Sequence, residues 1–321
     1  MLKMRGRRAT TRPVAPLLKR SVLTAAIAVA TWALAGMACD RQSGASSGDS
    51  EGVGEARDRV DRGDEASSQA PVPGVELEGL SAAEQQRFHG LVDALASPCG
   101  AAHSLRTSVL EDDDCARALY AARYVKKLID DGASDVDVRQ FYDERYRDET
   151  THEFDGDDVP RQGPSDARIE IVEFLDYGCP HCKTFGEVID RAQQAWPADV
   201  AVYYRLFPLS GNPNGMVAAQ SVIAAKQQGK FKEMHKALFD NQGQHDEASL
   251  RRYAEQIGLD MEQFDEDFAV AGERVDRDKR RGDEVGVRAT PTVFINGRRY
   301  TDPDRFEYVK LWIEEELAVN R

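Results

Sequence analysis

Hydrophobic and polar positions divide the chain into segments of different character. An apolar run occupies residues 21–38, almost no large apolar side chain occurs from residue 40 to residue 70, and helix-like and strand-like patterns follow. The polar segment is rich in Gly, Ser, Asp, Glu and Arg. Because such a segment cannot bury enough surface to offset its chain entropy, we predict a disordered linker over residues 39–75.

Residues 76–147 carry helical periodicity and predict a small all-α domain. Ser81 and Glu84 form a capping-box pattern at the start of a first helix, and Ser134 is suited to cap a third. The second helix is predicted from about Cys115 to Gly132. The apolar stripes of the three helices are Phe88, Leu91, Val92 and Leu95; Leu119, Tyr120, Tyr124, Leu128 and Ile129; and Val138, Phe141, Tyr142 and Tyr146. A polar, proline-containing linker is predicted over residues 148–166.

From residue 167 to residue 321 strands alternate with helices, which is typical of the α/β class. Buried strands are predicted at 169–175 and 200–209, and a hairpin over 292–301 with its turn at Asn296-Gly297. Helical patterns fill the interval between the second strand and the hairpin, with Asn214 as the cap of the first helix. A final amphipathic helix closes the chain. We therefore predict an α/β domain with a helical insertion at about 212–286.

The N-terminal segment has the pattern of an export signal. Seven Lys and Arg residues precede the apolar run, and small residues lead to Cys39. We predict a signal peptide over residues 1–38, and the sequence LAGMAC resembles a lipobox, which would place a lipid anchor on Cys39. Cleavage near Ala38 without lipidation, or an uncleaved membrane helix, are the alternatives. All three place the rest of the chain outside the cytoplasm, in the periplasm or cell envelope.

The charge of the chain narrows its possible ligands. The 321 residues carry a formal charge of −14, from 42 Lys and Arg against 56 Asp and Glu. Residues 1–38 contain basic residues and no acidic ones, so the exported part is more acidic than the whole. This balance argues against nucleic acid and against anionic lipid surfaces as ligands.

Four cysteines follow Cys39, an even number in a compartment that permits disulfides. Cys99 comes just after the predicted first helix and Cys115 opens the second, so a structural disulfide between them is predicted. In the loop-entropy description such a bond contributes about 3 kcal/mol to a domain that is small for an independent core. The alternative is a second redox pair that passes electrons to the first.

Cys179 and Cys182 lie in the sequence DYGCPHC, between a predicted buried strand and an amphipathic helix. Pro180 suits the first helical position, which puts Cys179 at the helix N-terminus and Cys182 about one turn later. Free backbone N–H groups and the helix dipole stabilise a thiolate at Cys179, and a protonated His181 adds a second favourable charge. A dithiol whose reduced form is stabilised in this way passes its disulfide to other proteins.

Other uses of a Cys-x-x-Cys pair fit this sequence less well. A c-type haem site requires His directly after the second cysteine, and this residue is Lys183. A structural zinc site needs two further ligands, and the candidates Cys99, His103 and Cys115 lie in the predicted helical domain. A structural disulfide across two residues closes too small a ring to constrain the unfolded chain. We therefore predict a redox dithiol, with no metal and no cofactor.

The stretches EFLDYGCPHC, RLFPLSGNPN and ATPTVFING together resemble the DsbA-like branch of the thioredoxin superfamily, the periplasmic thiol:disulfide oxidoreductases. The resemblance covers about residues 167–321 and implies a thioredoxin fold with an inserted helical subdomain. It also implies that Pro291 is cis and lies against the dithiol, where Thr290 offers backbone hydrogen bonds to a bound peptide. The start of an edge strand is the alternative explanation of Pro291.

The resemblance implies a role for one acidic residue as well. Glu173 lies mid-strand, six residues before Cys179, and corresponds to a buried acid beneath the dithiol that exchanges a proton with Cys182. The alternative is a glutamate at a strand edge that faces solvent. The sequence departs from close relatives at Asn212, where histidine is expected, and no role is attached to Asn212.

These observations predict a dithiol oxidase. A substrate thiolate attacks Cys179 of the oxidised pair, and a second substrate thiolate resolves the mixed disulfide. The predicted partners are reduced or unfolded exported proteins, and the resemblance implies reoxidation by a membrane quinone-linked protein. A disulfide isomerase or reductase is one alternative, and a tethered binding module with a thioredoxin fold is another.

Overall fold

The computed structural model describes residues 70–147, 150–156 and 158–320. The predicted signal peptide, Cys39 and most of the predicted linker 39–75 lie outside the described residues. Within them the chain forms eleven helices and five strands that belong to one compact unit. None of the helices in this part of the chain is long and apolar enough to cross a membrane.

The described chain begins with a block of helices, as the periodicity predicted. The block contains α1 (Ala82–Ala94), α2 (Leu105–Glu111), α3 (Ala118–Asp130) and α4 (Asp135–Tyr146). Ser81 and Glu84 form the predicted capping box of α1, and Ser134 forms another with Asp137 at the start of α4. Helix α2 was not predicted, because its seven residues are too few to display a helical period.

Helix α3 differs from its prediction in its start and in its buried face. It begins at Ala118 rather than at about Cys115. The predicted stripe residues Leu119 and Tyr120 are only partly buried, whereas two alanines, Ala121 and Ala122, are fully buried. Because α3 packs against α1, α2 and the last helix of the chain, small residues on its inner face allow neighbouring elements to approach closely.

Cys99 and Cys115 form a disulfide within this block, with their Cα atoms 5.9 Å apart. The bond joins the segment after α1 to the residues just before α3, so that α2 lies inside the closed loop. Cys115 is buried and Cys99 is exposed.

A five-stranded mixed sheet follows the helical block. Its strands are β1 (Arg161–Gln162), β2 (Ile169–Leu175), β3 (Val200–Leu206), β4 (Thr292–Ile295) and β5 (Arg298–Arg299), in the spatial order β1-β3-β2-β4-β5. Strands β2 and β3 are parallel, and the other three pairs are antiparallel. Strand β2 has its predicted bounds, and β3 ends three residues earlier than predicted. The hairpin turns at Asn296 and Gly297, whose φ angles of 48° and 78° suit its two-residue loop.

Seven further helices surround the sheet: α5 (Pro180–Ala195), α6 (Gly215–Gln227), α7 (Phe231–Asp240), α8 (Glu247–Gln256), α9 (Met261–Val270), α10 (Gly272–Glu284) and α11 (Phe306–Val319). Helices α6 to α10 lie between β3 and β4 and form the predicted insertion. Asn214 immediately precedes α6, but its side chain makes no capping hydrogen bond, contrary to the prediction. Its backbone N–H donates instead to the side chain of Asn212.

A buried charged cluster joins the helical block to the rest of the unit. Arg145 of α4 is fully buried and donates hydrogen bonds to Asp302, at 2.6 Å, and to Glu315 of α11, at 2.8 Å. Arg298 of β5 donates to Glu316 at 2.9 Å and to the Arg145 carbonyl at 2.6 Å. The helical block and residues 167–321 belong to one compact unit. The division into domains 76–147 and 167–321 therefore stays a prediction.

Candidate active site around the dithiol

The dithiol lies where the central strand β2 passes into helix α5. Cys179 is the N-cap of α5, with extended backbone angles (φ −82°, ψ 118°), and Pro180 occupies the first turn. Cys179 is half-exposed, Pro180 and His181 are exposed, and Cys182 is fully buried. Both cysteines are in the thiol form. One sulfur is therefore accessible to another protein, and the other is enclosed behind it.

The loop before β4 lies beside the exposed cysteine. The Cys179 thiol donates a hydrogen bond to the Thr290 carbonyl, with 3.2 Å between sulfur and oxygen. The peptide bond between Thr290 and Pro291 is cis, and β4 begins at the next residue. The structure thus brings together residues that are more than a hundred positions apart in the sequence.

The turn that presents Cys179 is held by Asp176, a buried residue that the sequence analysis did not single out. Its carboxylate accepts hydrogen bonds from the Gly178 N–H at 2.8 Å, the Leu209 N–H at 2.8 Å and the Asn212 side chain at 2.6 Å. A Cβ at Gly178 would lie 2.3 Å from the Asn212 amide nitrogen, so any larger residue there would displace the Asn212 side chain from its contact with Asp176. Asn212, to which no role was assigned, therefore packs directly under the turn. An aspartate just after a strand is a known turn former, which was the available signal.

Glu173 lies on the central strand β2, with Tyr204 of β3 and Val293 of β4 as its neighbours in the sheet. Its side chain is 1% exposed, and neither carboxyl oxygen has a hydrogen-bond partner among the described residues. Burial raises the pKa of Glu173 to about 8, with the charges of Asp190 and Asp304 acting in the same direction. Glu173 is therefore a buried residue of a central strand, and the alternative of a solvent-facing glutamate at a strand edge is wrong.

The buried acid and the buried thiol interact electrostatically. Burial raises the pKa of the Cys182 thiol well above its ordinary value, and the charge of Glu173 raises it further. Because each negative charge disfavours the other, a proton held by Glu173 makes a thiolate at Cys182 less unfavourable. The two groups can therefore share protons when the sulfur gains or loses charge.

Replacement of Glu173 by Gln should change how stability depends on pH. The pKa of Glu173 is 4.5 in the unfolded reference and about 8 in the folded protein, so the folded state holds more protons between these values. Stability consequently falls as pH rises through this window. We expect the reduced wild-type protein to lose about 2 to 3 kcal/mol of unfolding free energy between pH 5 and pH 7 relative to Glu173→Gln. Urea unfolding in reducing buffer measures the difference.

Glu170→Gln is the matched control for this measurement, because Glu170 lies on the same strand with an exposed side chain. Its stability should follow the wild-type pH dependence. Parallel curves for wild type and Glu173→Gln would show that the buried carboxyl does not titrate in this range.

A second loop, after β5, also contacts the dithiol helix. Tyr300 stacks on Phe185 of α5, with 5.6 Å between ring centroids. Asp302, two residues further on, accepts hydrogen bonds from Arg145 and Tyr124 of the helical block. The helical block therefore reaches the dithiol helix through this loop, a connection that the sequence did not indicate.

The described residues include no group of three or more His, Cys, Asp or Glu side chains arranged to hold a metal ion. Cys99 and Cys115, two of the candidate zinc ligands, are joined to each other, so neither offers a thiolate to a metal.

Residues 170–313 match the family described as DSBA-like thioredoxin domain. Among curated proteins, the Na(+)/H(+) antiporter NhaA 1 of Mycobacterium sp. (strain KMS) is 37% identical over 147 residues, which are 44% of this chain and 24% of the antiporter. NhaA 3 of Salinispora tropica is 36% identical over 164 residues, 50% of this chain and 25% of that protein. The chain thus spans about a quarter of the length of these relatives.

Solved structures also resemble the chain. Oxidised BdbD from Bacillus subtilis has a TM-score of 0.47 at 22% identity and covers 52% of this chain and 97% of its own. ScsC of Proteus mirabilis in a transitional conformation has a TM-score of 0.45 at 22% identity and covers 74% and 99%. The predicted fold class is confirmed by the family match together with the mixed sheet and the helical insertion. Residues 170–313 of this chain form a DsbA-like thioredoxin domain.

Proposed function

We propose that this protein is an extracytoplasmic thiol:disulfide oxidoreductase that donates the Cys179–Cys182 disulfide to reduced exported proteins. The observation that carries the proposal is the placement of the two sulfurs. Cys179 is accessible at the N-terminus of α5, and Cys182 is fully buried one turn later. This arrangement lets a substrate thiolate reach one sulfur only, which gives the exchange a defined direction of attack.

The proposed reaction begins from the oxidised pair. A substrate thiolate attacks the Cys179 sulfur, the bond between the two cysteines breaks, and its electron pair goes to Cys182. Glu173, protonated at neutral pH because of its raised pKa, supplies a proton to the Cys182 thiolate. A second substrate thiolate then attacks the substrate sulfur of the mixed disulfide and releases the Cys179 thiolate. The substrate has lost two electrons as a new disulfide, and the pair has gained them.

The direction of transfer follows from the charge that each sulfur can hold. Burial and Glu173 disfavour a thiolate at Cys182, whereas Cys179 lies at the positive end of the α5 helix dipole. His181 is exposed beside Cys179 and adds positive charge when protonated. The sulfur that leaves the mixed disulfide is therefore the one at the helix N-terminus, and we expect the protein to act as an oxidant.

Substrates are proposed to bind as extended polypeptide beside Pro291. The Thr290 carbonyl already accepts a hydrogen bond from Cys179, so a peptide bound there would lie next to the reactive sulfur. Recognition through backbone groups implies little sequence specificity. Reoxidation by a membrane quinone-linked partner, export by the segment 1–38 and a lipid anchor on Cys39 complete the proposal.

The redox equilibrium of the Cys179–Cys182 pair with glutathione tests this function. We expect a potential well above that of thioredoxin, which is about −270 mV, and closer to the value of about −120 mV of a strong oxidant. The protein should speed disulfide formation in reduced, unfolded ribonuclease A and reduce insulin only weakly. A pair as reducing as thioredoxin would favour the reductase alternative, and absence of any exchange would favour the binding module.

A further inference from the structure

A single glutamine side chain connects the helical insertion to the reactive cysteine. Gln242 lies in the turn after α7, and its side-chain nitrogen donates hydrogen bonds to the carbonyls of Tyr177 and Cys179, both at 2.9 Å. A primary amide has two N–H groups, and both are used here. The two carbonyls stand on either side of Gly178, so Gln242 spans the turn that presents Cys179.

The Cys179 carbonyl has a special position because Cys179 is the N-cap of α5. An N-cap carbonyl accepts the first hydrogen bond within the helix. Here that bond, from the Lys183 N–H, is long at 3.4 Å. The shorter bond from Gln242 therefore contributes strongly to the orientation of the Cys179 peptide group.

Further contacts join helix α7, which precedes Gln242, to the turn that presents Cys179. The Tyr177 hydroxyl and His235 of α7 are 2.9 Å apart, and the Tyr177 ring lies 4.9 Å from the ring of Phe239. Helix α7, which leads into the turn that carries Gln242, therefore packs on Tyr177, the residue whose carbonyl Gln242 contacts. Gln242 itself is half-buried.

We propose that Gln242 is a positioning residue for the dithiol and favours its reduced form. The inference rests on the proposed redox function. In the disulfide form the covalent bond to Cys182 restrains Cys179, whereas in the dithiol form hydrogen bonds alone hold the sulfur over the helix N-terminus. Loss of Gln242 therefore destabilises the reduced form more than the oxidised form, and the pair becomes a weaker oxidant.

The test compares three variants in glutathione buffers, in which the disulfide and two molecules of glutathione exchange with the dithiol and glutathione disulfide. Gln242→Met keeps the length of the side chain without its donors, and Gln242→Asn keeps an amide that is too short to reach both carbonyls. Gln244→Met is the matched control, since Gln244 is an exposed glutamine in the same turn. We expect Gln242→Met to shift the equilibrium about tenfold towards the disulfide, equivalent to about 30 mV, with a smaller shift in Gln242→Asn.

Gln244→Met should stay within twofold of the wild type. Equal equilibria for Gln242→Met and Gln244→Met would overturn the inference. If Gln242→Met does not fold, Gln242→Asn decides the matter, because its melting temperature should drop more in the reduced than in the oxidised protein, and equal drops would contradict the proposal.

A readout that is independent of redox function separates this inference from the proposed activity. The rate of Cys179 alkylation by iodoacetamide at pH 7 should fall several-fold in Gln242→Met and remain unchanged in Gln244→Met. A wild-type protein that does not exchange with glutathione would refute the proposed function, while the alkylation rates would still show whether Gln242 positions the sulfur. Unchanged alkylation in Gln242→Met would refute the positioning role.

Discussion

Replacement of Cys179 by Ser is expected to abolish thiol–disulfide exchange by this protein. Cys179 carries the accessible sulfur of the pair, and the buried Cys182 sulfur is enclosed in the unit. A serine hydroxyl cannot form a disulfide, and the remaining thiol is both inaccessible and, because burial raises its pKa, unable to act as a thiolate at neutral pH. Oxidation of reduced ribonuclease A should therefore proceed at the rate of the buffer alone.

Cys182→Ser provides the complementary result. This variant keeps the accessible Cys179 sulfur but lacks the partner that completes the pair, so mixed disulfides with substrate should accumulate and be visible on non-reducing gels. The Cys99–Cys115 disulfide remains in both variants and serves as the internal control. Residual oxidation by Cys179→Ser would mean that another cysteine pair carries the activity.

Replacement of Arg145 by Met is expected to destabilise the protein by about 3 to 5 kcal/mol, because it leaves the buried carboxylate of Asp302 without its arginine and removes one of the arginines that pair with Glu315. Arg145 and its partners Asp302 and Glu315 have fully buried side chains. The guanidinium also lies 4.3 Å from the Trp312 ring centroid and 4.6 Å from that of Tyr124, and these cation–π contacts would be lost too. Urea unfolding of the oxidised protein at pH 7 measures the loss.

The neighbouring Arg147 offers a matched control. Arg147 pairs with Asp143 one turn earlier on the same helix, and both side chains are exposed. Arg147→Met should therefore cost at most about 0.5 kcal/mol. Similar losses for the two variants would show that the buried cluster contributes no more than a surface ion pair.

The Arg145 cluster is also connected to the dithiol helix through one loop. Asp302 belongs to the loop that carries Tyr300, and Tyr300 stacks on Phe185 of the dithiol helix. The helical block thus supports the loop that packs against α5. Apolar periodicity could not reveal the charged part of this attachment, because Arg145, Asp302 and Glu315 are polar and lie far apart in the sequence.

Several elements could be predicted because local sequence determines them. The capping boxes at Ser81 and Ser134 and the turn at Asn296-Gly297 depend on residues within four positions of each other. Five of the seven residues of strand β2 are apolar, which is a local signal too. The two-residue strand β1 exists only because it pairs with β3, so nothing within it could have indicated a strand.

In the candidate site, by contrast, several residues are brought together only by long-range contacts. Asp176, Asn212 and Gln242 act on the dithiol turn through contacts that span 33 to 65 residues of sequence. No periodicity or spacing relates residues at such separations, since the path of the chain through the inserted helices sets their distance. Most polar residues in loops lie on the protein surface and contact only water. The residue type therefore does not reveal which of them position the dithiol turn.

The sequence by itself determined that a pair of cysteines stands at the start of a helix, because a buried strand, Pro180 and an amphipathic helix are all encoded within about twenty residues around Cys179. Only the tertiary structure decided that Cys182 is fully buried, how strongly Glu173 holds its proton, and which loops support the turn. The pKa of Glu173 depends on desolvation and on the charges of Asp190 on α5 and of Asp304 in the loop before α11. The packing of distant segments, not the local pattern, sets the electrostatic environment of the two sulfurs.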